Sequence, residues 1–443
     1  MRLRSIRYIA AALAVPAVAL TAAACSSGGG SSSGSGTAGG GSTLTYWASN
    51  QGTSLDNDKE VLTPQLQKFQ QQTGVKVNLE VIGWNDLQTR IQTAITSGSG
   101  PDVLNIGNTW AASLQATGAF MPYDDAAMQA IGGKDKFVKP ALDTGGAPGK
   151  DVTSVPLYGL AYGLYYNRQM FKDAGLNPPT TWEEMVAAAQ KLTDKGKNQY
   201  GFSLAAGSYT ENVHFAFING SQNGGAWFDG AGKPTFTSDQ NVQGILRYLD
   251  LMQKDKVVNT SNAQYDNGTK AVNDFATKKV AMILNQNNAD NSIVSNGMKS
   301  DEYGVVPFPA PAGGQKIASF IAGINMSIFK NTKNKDAALQ FVKFMTSPET
   351  QTALGKPFSS LPVLKDATPV FTDNAAEAKT FSDIYANQSK PLPLVPAEDQ
   401  FESTVGKAMN TLFAKIATGG TVTADEVKSA LKDAQDQVAA ATG

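Results

Sequence analysis

Four consecutive amides, Asn285-Gln286-Asn287-Asn288, stand directly after an apolar run from Val280 to Leu284. Planar amides in that position make either a tight turn or a wall of hydrogen-bond donors and acceptors facing a polar solute. Related residue types follow other apolar runs: Trp47, Asn50 and Gln51 after the first, Asn108 and Trp110 after the third, Tyr162 after Leu160, and Tyr209 beyond Gly201 to Ala205. Flat apolar faces combined with hydrogen-bonding edges suit noncovalent capture of a small molecule.

Residue types for other chemistry are sparse. The chain has one histidine, His214, and its body contains no Gly-x-Ser-x-Gly to pair with it as a nucleophile and base. One His and one Cys disfavour a metal centre, and no Gly-x-x-x-x-Gly-Lys loop is present to cradle phosphates, so no cofactor is expected. Glycoside hydrolysis needs only two carboxylates at a set separation. The adjacent pair Asp124-Asp125 reads instead as a solvated turn beside Pro122. Glu183 and Glu184 read as helix-opening acids, because Thr181 and Glu184 have capping-box spacing, as do Thr423 and Glu426.

The amino terminus has a different character. Arg2, Arg4 and Arg7 precede an apolar stretch of 13 residues, Tyr8 to Leu20, and the only cysteine, Cys25, follows Ala22-Ala23-Ala24. A basic tip and a short apolar run read as an export signal, too short for a bilayer span of roughly 20 residues. A lone cysteine offers no disulfide. The stretch resembles a bacterial lipobox, which implies a signal peptide over 1–24 and a diacylated Cys25 tethering the protein to the cell membrane on its outer side. Two acyl chains satisfy the two-signal requirement for stable anchoring. Cys25→Ser is expected to move the protein from the membrane fraction into the medium, as blotting of the two fractions would show. Residues 25–42 are Ser- and Gly-rich, a flexible tether with a reach of roughly 20 to 25 Å. The matches there to dinucleotide and hydrolase fingerprints, at Gly34 to Gly39 and Gly30 to Gly34, lack the flanking strand and helix that those motifs require.

Removing the signal takes away three arginines and no acid, leaving 34 Lys and Arg against 38 Asp and Glu. That balance excludes a nucleic-acid partner. Only Arg90, Arg168 and Arg247 remain as bidentate forks, so the ligand is expected to be neutral.

About 400 residues exceed one core, so two domains are expected. From Leu44 the pattern alternates between strand and helix: a strand at Leu44 to Trp47, a helix carrying Leu62, Leu66 and Phe69 and ended by Gly74, and a strand over Val75 to Val81. A helix with Leu87, Ile91 and Ile95 and a strand at Val103 to Ile106 follow. This order implies an α/β fold with parallel strands, whose ligands sit beyond the strands' carboxyl ends.

Several stretches, in order, carry a resemblance to a known family. They are Gly100-Pro101-Asp102-Val103; Tyr165-Tyr166-Asn167-Arg168 with Phe171, Ala174-Gly175-Leu176 and Pro179 to Glu184; Phe275 to Leu284; Tyr303 to Pro309; Ala322-Gly323-Ile324-Asn325; and Ala337 to Gln351. From Leu44 to Ala441 the chain resembles the extracellular solute-binding receptors of ATP-driven importers, in particular the carbohydrate-binding group related to maltose-binding protein. The resemblance implies a periplasmic-binding-protein-like fold of two α/β lobes, a cleft between them and hinge closure. Lobe 1 would be 43–157 and 309–356, and lobe 2 would be 162–305 and 360–443. It further implies a monomer that binds a sugar, expected to be a neutral oligosaccharide, without turning it over, and hands it to permease subunits; the alternative is a receptor of the same fold for a polyamine or a peptide. The binding reading of Asn285, Gln286 and Asn287 is favoured, and Phe401 falls where relatives carry a stacking aromatic. Phe401→Ala or Trp47→Ala would then weaken binding by about 1 to 3 kcal/mol.

Overall fold

The computed structural model describes residues 43–442, so Cys25 and the Ser/Gly stretch lie outside the described residues. The described residues belong to one compact unit. Its strands are β1 (Thr43–Ser49), β2 (Lys76–Ile82), β3 (Val103–Gly107), β4 (Ser154–Leu160), β5 (Tyr162–Asn167), β6 (Tyr200–Ser203), β7 (Val280–Gln286), β8 (Tyr303–Val306), β9 (Ser319–Phe320), β10 (Ala322–Ile328) and β11 (Ser389–Lys390). A five-stranded sheet has the order β2-β1-β3-β10-β4, and a four-stranded sheet has the order β6-β7-β5-β8. Each sheet with its helices makes one lobe.

The first lobe begins as its sequence pattern predicts. β1 pairs in parallel with β2 and β3, while the later β10 enters antiparallel between β3 and β4. The helix Leu55–Thr73 starts at Ser54, whose hydroxyl accepts from the Asn57 amide at 3.1 Å, and stops at Gly74 with φ of 74°. Only a residue without Cβ adopts that left-handed stop without strain. Its Leu62, Leu66 and Phe69 are buried, and Phe69 meets Phe341 edge-on at 5.2 Å. The expected cap at Thr423 is reciprocal: Thr423 donates its amide to Glu426 and accepts from the Glu426 amide. At the other box, Thr181 accepts from the Glu184 amide while Glu184 accepts from the amide of Thr180.

Chain passage between the sheets is abrupt. β4 belongs to the first sheet and β5 to the second, with only Ala161 between them. Two expected lobe limits are corrected by backbone pairing. Residues 310–317 bond to the second lobe, through Trp182 to Ala310 at 3.0 Å and Gln315 to Gln222 at 2.8 Å, so the return to the first lobe comes later than 309. Residues 361–365 still pair with the first lobe, through Gly159, Val138 and Lys136, so the last crossing comes later than 360. Apolar periodicity carried no mark of either point, because both segments are irregular and bound by backbone groups. Among the described residues no helix is long and apolar enough to cross a membrane.

Candidate functional site

On the first lobe, the loop after β1 wraps around a buried acid. Asp58 is fully shielded and accepts from the amides of Gln51 at 2.9 Å and Gly52 at 3.0 Å, and from the side chain of Asn50. Burial raises its carboxyl above the usual range, and those three hydrogen bonds oppose the shift. The Asn50 carbonyl in turn accepts from the Trp84 indole at 2.7 Å. That leaves the Trp84 ring 37% exposed, one of the few large apolar side chains that face solvent. Trp84 meets Trp110 edge-on at 5.6 Å.

From Trp110 the contacts cross to the second lobe. Its indole donates to Glu402 Oε2 at 3.1 Å, and Glu402 lies on the helix Glu398–Ala417. Oε1 of Glu402 stands 3.6 Å from His214 Nε2, and the other ring nitrogen of His214 shares a 3.0 Å hydrogen bond with the Tyr162 hydroxyl. Trp110, Glu402, His214 and Tyr162 are all buried. Burial, with Glu211, Tyr248 and Glu402 nearby, holds the Tyr162 phenol well above its usual range, so it stays protonated. Tyr162 is paired with Gln286 across β5 and β7. The helix Tyr209–Gln222 lies so close to the 398–417 helix that a Cβ on Gly406 would come within 2.1 Å of the Tyr209 carbonyl oxygen. Gly406 is one helical turn beyond Glu402, and Tyr209 is 37% exposed. Glu211 is half-buried beside Gly268 and Asn285, and burial pushes its carboxyl up to about 7 against a hydrogen bond from Gly268.

Of the expected residues, Trp110 and Tyr162 join the contacts that cross between the lobes, Gln286 pairs with Tyr162, and Asn285 lies beside Glu211. Gln51 is buried with an unpartnered side-chain nitrogen, and Asn108 donates to the Ile321 carbonyl at 2.8 Å. Four expected ligand residues are engaged elsewhere. Phe401 is completely buried among Trp227 at 5.2 Å, Phe236 at 5.3 Å and Phe228 at 5.8 Å, so no face is left for stacking. Asn287 uses both ends of its amide on backbone: it accepts from the Ala161 amide at 2.8 Å and donates to the Ser359 carbonyl. The Asn50 amide is committed to Asp58, and the Trp47 ring lies on the first sheet with the Arg90 guanidinium 4.5 Å above it. Sequence reasoning missed Trp84, Glu398, Glu402 and His214. The expectation of a site offering mainly amides is also corrected, since three carboxyls, on Glu211, Glu398 and Glu402, sit at or behind it. The only signal for Glu398 and Glu402 was their spacing of four on a helix, which more often marks a solvated face.

The two lobes thus touch through a buried polar bridge, with the exposed Trp84 ring beside it. The chain belongs to the bacterial extracellular solute-binding protein family, whose model matches residues 52–352. Among curated relatives it is 24% identical over 335 residues to a diacetylchitobiose-binding protein of Streptomyces coelicolor, covering 72% of this chain and 73% of that one. Among solved structures it is similar to an importer solute-binding protein of Thermotoga lettingae bound with α-D-tagatose, with a TM-score of 0.78, 22% identity and coverage of 90% and 100%. It is also similar to a substrate-binding protein of Listeria monocytogenes in complex with cycloalternan, with a TM-score of 0.77, 20% identity and coverage of 91% and 100%.

Proposed function

We propose that this protein is a lipid-anchored receptor on the outer face of the cell membrane that closes its two lobes around a neutral oligosaccharide. It does no chemistry on the sugar and releases it to the permease of an ATP-driven importer. The observation that carries the reading is the placement of Trp84 and Tyr209. They are exposed aromatic residues on opposite lobes: the Trp84 ring meets Trp110, the donor to Glu402, and the Tyr209 backbone packs on Gly406 of the Glu402 helix. A sugar ring offers C–H faces to such side chains and hydroxyls to the amides and carboxyls beside them. Family membership and the sugar-bound structural neighbours support the same class.

The test is the melting temperature of the chain from Ser42 onward against neutral mono- and oligosaccharides. A ligand specific for the folded state adds about 2.7 kcal/mol at a hundredfold excess over Kd. One oligosaccharide series is expected to raise the transition without being consumed. Trp84→Ala is expected to weaken that binding by about 2 kcal/mol in calorimetric titration. Unchanged affinity would remove Trp84 from the site.

The carboxyls of Glu211, Glu398 and Glu402 favour one second reading, capture of a polyamine between acids and aromatic rings. Polyamines belong in the same panel, and a shift with an amine alone would overturn the sugar.

A further inference from the structure

Glu398 and Glu402 are one turn apart on the same helix, and each is almost wholly buried, at 0% and 3% exposure. Neither oxygen of Glu398 accepts from an N–H or O–H among the described residues, and neither does Oε1 of Glu402. The side chain that reaches Glu398 is Glu402 itself. Two carboxylates cannot hydrogen-bond to each other. Two carboxyls can, if one of them carries a proton. A bare carboxylate shut in without donors is among the costliest groups in a protein, and a neighbouring like charge adds to that cost. The remaining oxygen, Oε2 of Glu402, is the one that accepts from the Trp110 indole of the other lobe.

We propose that Glu398 and Glu402 share a single proton and together form the acceptor that holds the two lobes shut, so that closure takes up a proton. In this assignment Glu398 is a positioning residue: its acid O–H fixes Glu402, and Glu402 holds Trp110. Parting the lobes withdraws Trp110 from Glu402 and admits water, and a hydrated pair no longer needs the proton. The other titratable groups around the pair are Asp399 on the same helix, His214 on the helix packed against it, and Tyr162 on β5 beyond His214. Glu211 lies on the His214 helix and bears on Tyr162.

The direction follows from linkage. Burial first, and then Glu402 and Asp399, hold the Glu398 carboxyl well above its ordinary value. A group whose affinity for protons is higher in the closed state favours closure fully below the open-state range, about 4.3 for a glutamate. That preference is lost as pH rises through the higher, closed-state titration.

The test needs no ligand and therefore fails or succeeds separately from the sugar reading. Small-angle scattering of the chain from Ser42 onward is recorded from about pH 5 to about pH 9, with circular dichroism at each pH to show that the fold persists. The wild type is expected to be compact at the acid end and to gain radius of gyration as the pH rises. Glu398→Gln, whose amide donates to Glu402 at every pH, is expected to stay compact throughout. Trp110→Phe, which removes the donor and keeps a ring, is expected to be expanded even at the acid end. A wild-type radius that does not change with pH overturns the proposal. So does a pH response that survives in Glu398→Gln, which would assign it to His214 or Glu211. If Glu398→Gln fails to fold, Glu402→Gln serves in its place and is expected to lose the same response.

Discussion

Phe401→Ala is expected to lower the stability of the fold by about 3 to 5 kcal/mol, the range for truncating a buried aromatic. The ring is enclosed by Trp227, Phe228 and Phe236, and each tilted or edge-on pair contributes about 0.5 to 1.5 kcal/mol beyond burial. A void of that size at the start of the helix bearing Glu402 also loosens its first turns, so some loss of ligand affinity follows indirectly. Urea denaturation separates the two effects: the midpoint should fall sharply for Phe401→Ala and recover in large part for Phe401→Leu. A stable Phe401→Ala variant that no longer binds would restore the stacking role that the sequence suggested.

The second large effect is expected at Asn287. Its side chain is completely buried and clips together the Ala161 amide and the Ser359 carbonyl, two backbone groups from different passages of the chain. In Asn287→Ala both lose their partner, at about 1 to 3 kcal/mol for each buried group left unsatisfied, so a loss of about 2 to 6 kcal/mol is expected. Ser359 has φ of 43°, a left-handed conformation that costs a serine energy, and the clip is one of the contacts that hold it there. Asn287→Asp, which keeps the acceptor for Ala161 and loses the donor to Ser359, should fall between wild type and alanine. Thermal unfolding of the three proteins would rank them. Equal stability with altered binding would return Asn287 to the ligand site.

Both residues show what a linear sequence does and does not disclose. Strand and helix periodicity is local, so β1 to β3, their helices and the caps at Gly74 and Thr423 were legible. Trp110, Tyr162 and Gln286 were singled out because they follow apolar runs, and in α/β folds ligands sit beyond the ends of such runs. The roles of Asn287 and Phe401 were not legible, since an amide that faces a solute and one that faces a backbone carbonyl have the same spelling. Glu402 was invisible for a related reason. What distinguishes it from a surface acid is a tryptophan 292 positions earlier in the chain.

The join at Ala161 bears on how the molecule moves. One residue spans at most about 3.6 Å, and here its amide and carbonyl are both held by Asn287. The two sheets therefore cannot be drawn apart at that point. They can only swivel about it, as two blades do about a rivet, and travel grows with distance from the rivet. Groups beside Ala161, such as Tyr162, therefore move least through the stroke, and groups far from it move most. A solute meeting the open protein would thus find its seat already assembled at the pivot and its cover still in flight.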